Sequence, residues 1–188
     1  MKQEIRIIGG LYRGKKITFP NSEGLRPTAD RVKETLFNWL MHDIKEARCL
    51  DAFAGSGALG FEAFSRGAAC VDLIEQSPLV YKHLHQIISQ FNTPKLQLVN
   101  ADSLVYLQQT KKQYDVIFLD PPFAQDYIPR CLASIIRQQV LVKGGLIYIE
   151  SPHILTLDDK QWELMKLKKA GQVFYGLYQY TGPNTFPI

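Results

Sequence analysis

Short apolar segments alternate with longer amphipathic ones between residues 48 and 150. The apolar segments are rich in residues that favour β-strands, and each ends at a polar or glycine-containing turn. They cover residues 48–53, 70–75, 96–101, 115–120 and 145–150. Apolar residues recur at helical spacing over 57–67, 77–92, 102–112 and 126–145. This alternation predicts βαβ units, and hence an α/β fold with a mostly parallel, Rossmann-like sheet.

The two ends of the chain depart from this alternation. Two alternating runs at 162–181 predict an antiparallel hairpin that completes a seven-stranded sheet at one edge. Near the start, residues 5–19 predict a β-hairpin that turns at Gly9–Gly10 or Arg13–Gly14, and residues 26–44 predict a helix opened by Pro27. We therefore divide the chain into an N-terminal basic hairpin extension, 1–25, and a main domain, 26–188.

Composition and charge narrow the class of protein. The chain has 188 residues, of which 46% are hydrophobic and 21% charged, so it can bury the core of one ordinary globular domain. No apolar stretch is long enough for a membrane span or a signal peptide, and we expect a cytoplasmic protein. The net charge of +4 is concentrated near the N-terminus, which permits a polyanionic partner. The three cysteines and four histidines show no metal-ligand spacing, so no metal is expected.

A glycine-rich segment follows the first of the regular strands. Gly55, Gly57 and Gly60 fit the G-x-G-x-x-G pattern between a strand and a helix, where the backbone can approach a ligand. A tight turn without a ligand would also need these glycines. Glu75 ends the next strand, twenty positions after Gly55, where an acid can accept both hydroxyls of a ribose. The combination predicts a nucleoside cofactor.

Two further acids bear on which nucleoside is bound. Asp51 lies close to the glycine loop, where a carboxylate would repel the pyrophosphate of NAD but would suit the sulfonium and ammonium groups of S-adenosylmethionine. Asp102 follows the third strand and could accept from an adenine amine, cap the following helix, or do both. We expect S-adenosylmethionine.

The motifs in their order resemble a known enzyme group. "DAFAGSG" at 51–57, Glu75, "NAD" at 100–102 and "DPPF" at 120–123 are similar to the cofactor and catalytic motifs of class I S-adenosylmethionine-dependent methyltransferases that act on amino groups. "RIIGGLYRGKKI" and "LRPTADRVKETLFNWL" resemble the N-terminal signature of the RsmD family, bacterial 16S ribosomal RNA guanine-N2 methyltransferases. The resemblance implies a class I methyltransferase fold, guanine 966 as target, a substrate within the small subunit or its assembly intermediate, and Phe53 beside the cofactor.

The residues of "DPPF" suit transfer to an exocyclic amine. Such an amine is a poor nucleophile because its lone pair is delocalised into the ring, so the site needs acceptors that draw the lone pair outward. The Asp120 carboxylate and a carbonyl of Pro121–Pro122 can accept the two amine hydrogens, and prolines leave carbonyls free in a stiff backbone. Phe123 offers a face on which the target base can stack. The alternative is that this segment is only a proline-rich turn after a buried strand, with no catalytic role.

Other residues and functions stay open at this point. Arg6, Arg13, Lys15 and Lys16 can bind RNA phosphates if the hairpin projects, or can form a solvated strand edge. Arg26, Thr28 and Arg31 can border the cleft, and Thr28 can cap its helix. The rival functions are a DNA or other RNA amino-methyltransferase, an NAD-dependent oxidoreductase and a non-catalytic RNA-binding module. The sequence does not distinguish naked RNA from an assembled subunit as the substrate, and it does not fix the oligomeric state.

Overall fold

A seven-stranded sheet forms the centre of the protein. The structure, a computed structural model, describes residues 3–19, 28–123 and 126–182. The strands stand in the order β5-β4-β3-β6-β7-β9-β8. The five strands β5, β4, β3, β6 and β7 are parallel, whereas β9 and β8 are antiparallel additions at one edge. Their bounds are β3 Arg48–Asp51, β4 Cys70–Glu75, β5 Leu96–Asn100, β6 Tyr114–Leu119, β7 Leu141–Ser151, β8 Trp162–Ala170 and β9 Val173–Tyr180. The predicted mostly parallel sheet with an antiparallel edge hairpin is confirmed.

Helices cover both faces of this sheet. They are α1 Asp30–Trp39, α2 Ala58–Ser65, α3 Pro78–Ser89, α4 Ser103–Gln109 and α5 Tyr127–Arg137. Successive strand residues enter different cores, because side chains alternate across a strand. In β3, Cys49 joins the core under α1, α2 and α3, and Leu50 joins the core under α4 and α5. Burial on both faces explains why the strands read as continuous apolar runs.

The predicted helix 126–145 is too long by several residues. Helix α5 ends at Arg137, and β7 already begins at Leu141. Gln139 adopts a left-handed φ of 54°, and the Val140 and Gln139 N–H groups donate to the carbonyls of Ile135 and Ile136. These are the two hydrogen bonds of a Schellman C-terminal motif, with glutamine at the position where glycine is usual. The expected glycine signal is absent, so the pattern did not show where the helix ends.

The predicted helix 26–44 is also shorter than expected. Helix α1 begins at Asp30, and its N-cap is Ala29, which makes no side-chain capping bond. The suggestion that Thr28 caps the helix is therefore wrong. Arg26 and the proposed opening residue Pro27 lie outside the described residues.

The N-terminal hairpin consists of β1 Gln3–Arg6 and β2 Lys16–Phe19, paired antiparallel. Both predicted turn sites, Gly9–Gly10 and Arg13–Gly14, lie in the loop between these strands. One face of the hairpin is buried in the core through Ile5, Ile7, Ile17 and Phe19. The assigned boundary at residue 25 falls outside the described residues and stays a prediction.

Buried polar groups fasten the hairpin loop to the end of α2. The Glu62 side chain is fully buried and accepts the Ile8 N–H at 2.9 Å. The Ser65 hydroxyl donates to the Gly9 carbonyl at 2.6 Å, and the Ser65 carbonyl accepts the Leu11 N–H at 2.7 Å. From the other side, the Lys33 ammonium donates to the Arg6 carbonyl at 2.6 Å. The hairpin is thus a docked part of the domain surface.

Replacing Gly10 with alanine should undock this loop. Gly10 has a φ of 75°, and a Cβ there would lie 1.9 Å from the Ser65 carbonyl oxygen. Gly14 supplies a matched control, because its φ is 87° but an added Cβ meets nothing within 4 Å. In urea unfolding, Gly14→Ala should cost about 1 kcal/mol from backbone strain alone. Gly10→Ala should cost at least about 2 kcal/mol more, since a backbone clash cannot be relieved by a rotamer change. Equal losses would contradict the docking of the loop on α2.

Candidate functional site

Four acidic side chains meet where the central parallel strands end. Asp51 is the last residue of β3 and Glu75 the last of β4, while Asp120 follows β6 and Glu150 lies at the end of β7. These strands are neighbours, so their carboxyl ends share one edge of the sheet. All four acids line a cavity of about 740 Å³. In open α/β sheets this edge is where ligands bind.

The glycine loop closes one side of the cavity. The Gly55 N–H donates to Glu75 Oε2 at 3.0 Å, and the Ser77 N–H donates to Glu75 Oε1 at 2.7 Å. The Gln76 N–H acts on the same carboxylate, which offers about four lone-pair sites, so it keeps capacity to accept from a ligand. Burial raises the pKa of Glu75 above its usual value, and the backbone donors oppose that rise. Glu75 is therefore held in a fixed orientation at the cavity wall.

Gly57 has a conformational role in the same loop. It is the N-cap of α2 and adopts a left-handed φ of 78°, and an added Cβ would lie 2.3 Å from the Phe61 ring. Unlike Gly55, Gly57 is not among the residues that line the cavity. The third glycine, Gly60, lets the helix approach β3 and β4 closely, since a Cβ there would meet Leu73 of β4 at 2.8 Å and Asp51 of β3 at 3.1 Å.

Asp51 is the most deeply buried of the four acids, with 3% of its surface exposed. Its Oδ2 accepts the Gly60 N–H at 2.9 Å, which joins β3 to the first turn of α2. Burial raises the pKa of Asp51 to about 7, and the charge of Glu75 adds to this rise, while the Gly60 N–H opposes it. A cation bound in the cavity would favour the ionised form of this carboxyl group.

Asp102 takes the capping role that the sequence left open. Its Oδ1 accepts the Val105 N–H at 3.0 Å, so it is the N-cap of α4. Asp102 does not line the cavity, but its neighbour Ser103 does, and the Ser103 hydroxyl donates to the Ala52 carbonyl. The contact of Asp102 with an adenine amine stays a prediction. Phe53 lines the cavity and packs edge-on against Tyr127, with ring centroids 5.3 Å apart.

The segment 120–123 forms the wall opposite the glycine loop. Asp120, Pro121, Pro122 and Phe123 all line the cavity. Within the described ranges, the Asp120 carboxylate accepts no hydrogen bond, although the cavity leaves it accessible. Burial first, and then the charges of Glu150 and Asp51, raise the pKa of Asp120 well above its usual value. Phe123 is 47% exposed, a large exposed fraction for a residue type that is usually buried. The wall therefore offers an unused acceptor next to an exposed aromatic face.

Sequence reasoning missed the side of the cavity formed by β7 and β9. Glu150 accepts the Tyr148 hydroxyl at 2.8 Å, and Tyr175 of β9 stands opposite Glu150 in register. Burial raises the pKa of Glu150, while the Tyr148 hydrogen bond opposes that rise. The available signal was an acid at the end of a parallel strand, the same signal that identified Glu75 and Asp120. Thr28, Ala29 and Val32 complete the rim from the N-terminal side, whereas Arg31 is exposed on α1.

The predicted RNA-binding cations lie outside this cavity, on the hairpin. Arg6 and Arg13 line a separate cleft of about 510 Å³ together with Arg66. Arg6 is paired with Asp30 at 3.3 Å and Lys16 with Glu4 at 3.0 Å. Lys15 lies over the Phe91 ring at 4.9 Å, and Arg13 is exposed. Of the four, Arg13 and Lys15 form no ion pair with another described residue.

Residues 3–19, 28–123 and 126–182 offer neither a metal cluster nor a membrane span. No group of three or more His, Cys, Asp or Glu side chains there could hold a metal ion. No helix in those ranges has the length and apolar character needed to cross a membrane.

Comparison with known proteins gives a consistent result. The sequence profile of the family described as "Conserved hypothetical protein 95" matches residues 5–179. Ribosomal RNA small subunit methyltransferase D of Haemophilus influenzae is 44% identical over 183 residues, which cover 95% of each chain. The protein of the same name from Escherichia coli K12 is 43% identical over 178 residues, covering 94% of this chain and 90% of that one.

Solved structures agree with the sequence relatives. The structure of yhhF from Escherichia coli superposes with a TM-score of 0.88 at 42% identity, covering 96% of this chain and 99% of that chain. HI0767 from Haemophilus influenzae superposes with a TM-score of 0.81 at 39% identity, covering 95% and 99%. The fold is therefore shared over nearly the whole length.

The buried Asp51 predicts a specific pH dependence of stability. A carboxyl group whose pKa is raised on folding stabilises the protein when protonated. This contribution is complete below the unfolded pKa of about 4 and is lost as the pH rises through about 7. Asp51→Asn keeps an oxygen for the Gly60 N–H but cannot ionise. The free energy of unfolding of Asp51→Asn relative to the unchanged protein should therefore rise between pH 5 and pH 8.

Asp115→Asn is the control for this measurement. The Arg48 guanidinium lowers the pKa of Asp115 through hydrogen bonds at 2.8 and 3.0 Å, so Asp115 is ionised in both the folded and the unfolded chain above pH 5. Its difference from the unchanged protein should stay constant between pH 5 and pH 8 in urea unfolding. A flat difference for Asp51→Asn as well would refute the desolvation of Asp51.

Proposed function

Because this chain belongs to the RsmD family of ribosomal RNA methyltransferases, we propose that it methylates the exocyclic N2 amine of a guanine in 16S ribosomal RNA with S-adenosylmethionine as the methyl donor. The resemblance of the motifs implies guanine 966 as the target. One observation carries the proposal. The Asp120 carboxylate lines the cavity beside the exposed Phe123, and it accepts no hydrogen bond from the residues that the structure describes.

The residues at the glycine loop suit the cofactor. S-adenosylmethionine supplies an electrophilic methyl group on a sulfonium and carries an ammonium on its amino-acid tail. Asp51 and Glu75 present carboxyl groups to the cavity, and Glu75 can accept from the ribose hydroxyls. Asp51, close to the glycine loop, would repel a pyrophosphate, which argues against NAD, whereas Glu75 would suit the ribose of either cofactor. Phe53 offers an apolar surface in the same cavity.

The opposite wall suits an amine acceptor that must be oriented. Asp120 and the Pro121 carbonyl can each accept one hydrogen of the target amine, and this directs the nitrogen lone pair away from the base plane. Phe123 can stack on the base that carries the amine. The contribution of this chain is thus to orient the nucleophile and to take its charge, since positioning supplies most of the rate in such a transfer.

The direct test uses isotopically labelled S-adenosylmethionine. Small ribosomal subunits and naked 16S RNA, both from cells lacking this protein, are incubated with the purified enzyme, and the digested nucleosides are analysed by mass spectrometry. We expect N2-methylguanosine as the labelled product. Label on adenosine or cytidine would reject the guanine assignment, and the absence of any label would favour a non-catalytic binding module.

Asp120 and Phe123 should fail in different ways. Asp120→Asn is nearly isosteric but a weaker acceptor, so single-turnover methylation should fall by at least about 100-fold, as when one transition-state hydrogen-bonding group is removed. Calorimetric affinity for S-adenosylmethionine should change little. Phe123→Ala should instead weaken RNA capture by about 1–3 kcal/mol, and Phe123→Tyr should restore it because the stacking face returns. A methylation rate for Asp120→Asn close to that of the unchanged protein would eliminate its proposed role.

The hairpin cations should contribute electrostatic, sequence-independent affinity for RNA. We expect Arg13→Ala/Lys15→Ala to reduce the slope of log affinity against log salt by up to nearly one unit for each RNA phosphate that the variant no longer neutralises. Lys166→Ala/Lys168→Ala removes the same charge from β8, an edge strand of the seven-stranded sheet that lies outside the hairpin, and serves as the comparison. If the two double variants lower the slope equally, RNA binding follows net charge and is not localised to the hairpin.

A further inference from the structure

Glu150 stands beside Asp120 on the neighbouring strand of the sheet. Strands β6 and β7 are parallel and pair Leu119 with Ile149, so the next residues along both strands are Asp120 and Glu150. Adjacent strands lie about 4.8 Å apart. Both side chains line the same cavity. The Asp120 carboxylate therefore has the Glu150 carboxylate as its immediate neighbour.

The surroundings of Glu150 leave it as an acceptor. Tyr148 is fully buried, and its hydroxyl donates to Glu150 Oε1 at 2.8 Å. Among the described residues no other group hydrogen-bonds the Glu150 side chain, so Oε2 is available to a donor in the cavity. Tyr175 borders it from β9, and Asp120 lies beside it directly after the end of β6.

The described residues that line the cavity include Asp51, Glu75, Asp120 and Glu150 but no Lys, Arg or His. Two neighbouring carboxylates without a cation are costly to bury unless donors satisfy them. Within the described part of the chain, nothing supplies such donors to Asp120 or to Glu150 Oε2. A bound base that carries N–H groups can supply donors at these two positions.

The three nucleobases with an exocyclic amine differ at the adjacent ring position. In adenine the ring nitrogen next to the amine is an acceptor, and the same is true in cytosine. In guanine the 2-amine lies between N1, which carries a hydrogen and is a donor, and N3, which is an acceptor. Acceptors for the amine alone serve all three bases. A second acceptor that meets the base on the N1 side of guanine suits guanine, and it would repel the lone pair that adenine and cytosine carry next to their amines.

We propose that Glu150 determines base specificity by accepting the N1–H of the target guanine while Asp120 and the Pro121 carbonyl hold the 2-amine. This inference rests on the proposed function and identifies the feature of the base that the site distinguishes. A site built to receive a substrate hydrogen discriminates against an analogue that lacks it, because a polar group of the site is then left without its partner.

The test replaces the target guanine by 2-aminopurine, which keeps the 2-amine but has an unprotonated N1. Small-subunit RNA carrying either base at the methylated position is assembled into subunits, and single-turnover rates are measured. The unchanged enzyme should prefer guanine by about 10- to 100-fold, the range expected for one good polar contact to a base. Glu150→Ala should lower the rate on guanine and reduce the preference to about threefold or less.

Two further variants make the outcome decisive. Glu150→Gln is isosteric and keeps an oxygen for the Tyr148 hydroxyl, so it tests specificity even if Glu150→Ala unfolds, and its preference should also collapse. Glu163→Gln removes an exposed carboxylate on β8 outside the cavity and should keep the full preference. 2-Aminopurine also lacks the 6-oxygen of guanine. This loss is the same for every enzyme variant, so it cancels when the preferences of the variants are compared.

The contrary results are distinct. An unchanged preference in both Glu150 variants, with cofactor affinity intact by calorimetry, would overturn the role of Glu150 while leaving the proposed function standing. Failure of the unchanged enzyme to form N2-methylguanosine on the guanine-containing subunit would overturn the proposed function itself, and the role of Glu150 with it.

Discussion

This structure depends on one constraint. It costs free energy to place several carboxylates together at one end of a parallel sheet. Asp51, Glu75, Asp120 and Glu150 converge because strands that run in the same direction end at the same edge. Their proximity and burial disfavour ionisation, and the backbone N–H groups of Gly55, Gly60 and Ser77 offset part of that cost. The rest of the cost remains, and a cationic cofactor and an amine substrate are the ligands that would relieve it.

Helix α2 connects this constraint to the N-terminal hairpin. Its first turn gives the Gly60 N–H to Asp51, and its last turns hold the hairpin through Glu62 and Ser65. The helix has only eight residues, all of them buried. A rigid element of this length fixes the position of the hairpin relative to the glycine loop. An RNA segment held by the hairpin would therefore meet the cavity in a defined orientation.

The sequence predicted the parts of the fold that depend on local pattern. All five parallel strands, the edge hairpin and the glycine loop have strong local signals, and each was located within a few residues. The end of α5 was missed because Gln139 replaces the usual glycine of its C-terminal motif. The docking of the hairpin joins Ile8 to Glu62, residues 54 positions apart. Such a contact leaves no periodicity that a single sequence can reveal.

Glu150 was missed for a different reason. Its position at the end of a strand is visible in the sequence, but its value to the site depends on strand order. Only the pairing of β6 with β7 brings it beside Asp120. The α/β pattern alone does not specify which strands are neighbours, because several strand orders obey the same connection rules. The hairpin β8–β9 adds Tyr175 on the other side, and this contact also depends on long-range pairing.

A second buried acid in the same sheet shows how a carboxylate held within the protein differs from one left open at the cavity. Asp72 of β4 accepts the Tyr114 hydroxyl at 2.5 Å, the Lys112 ammonium at 2.7 Å and the Tyr106 hydroxyl at 3.3 Å. The protein thus supplies the Oδ2 oxygen of Asp72 with three donors, a cation among them. Asp120 directly follows β6 of the same sheet, and it receives no donor from the described residues. Since folding selects for satisfied polar groups, a carboxylate left open at a cavity indicates where the donors of a bound substrate belong.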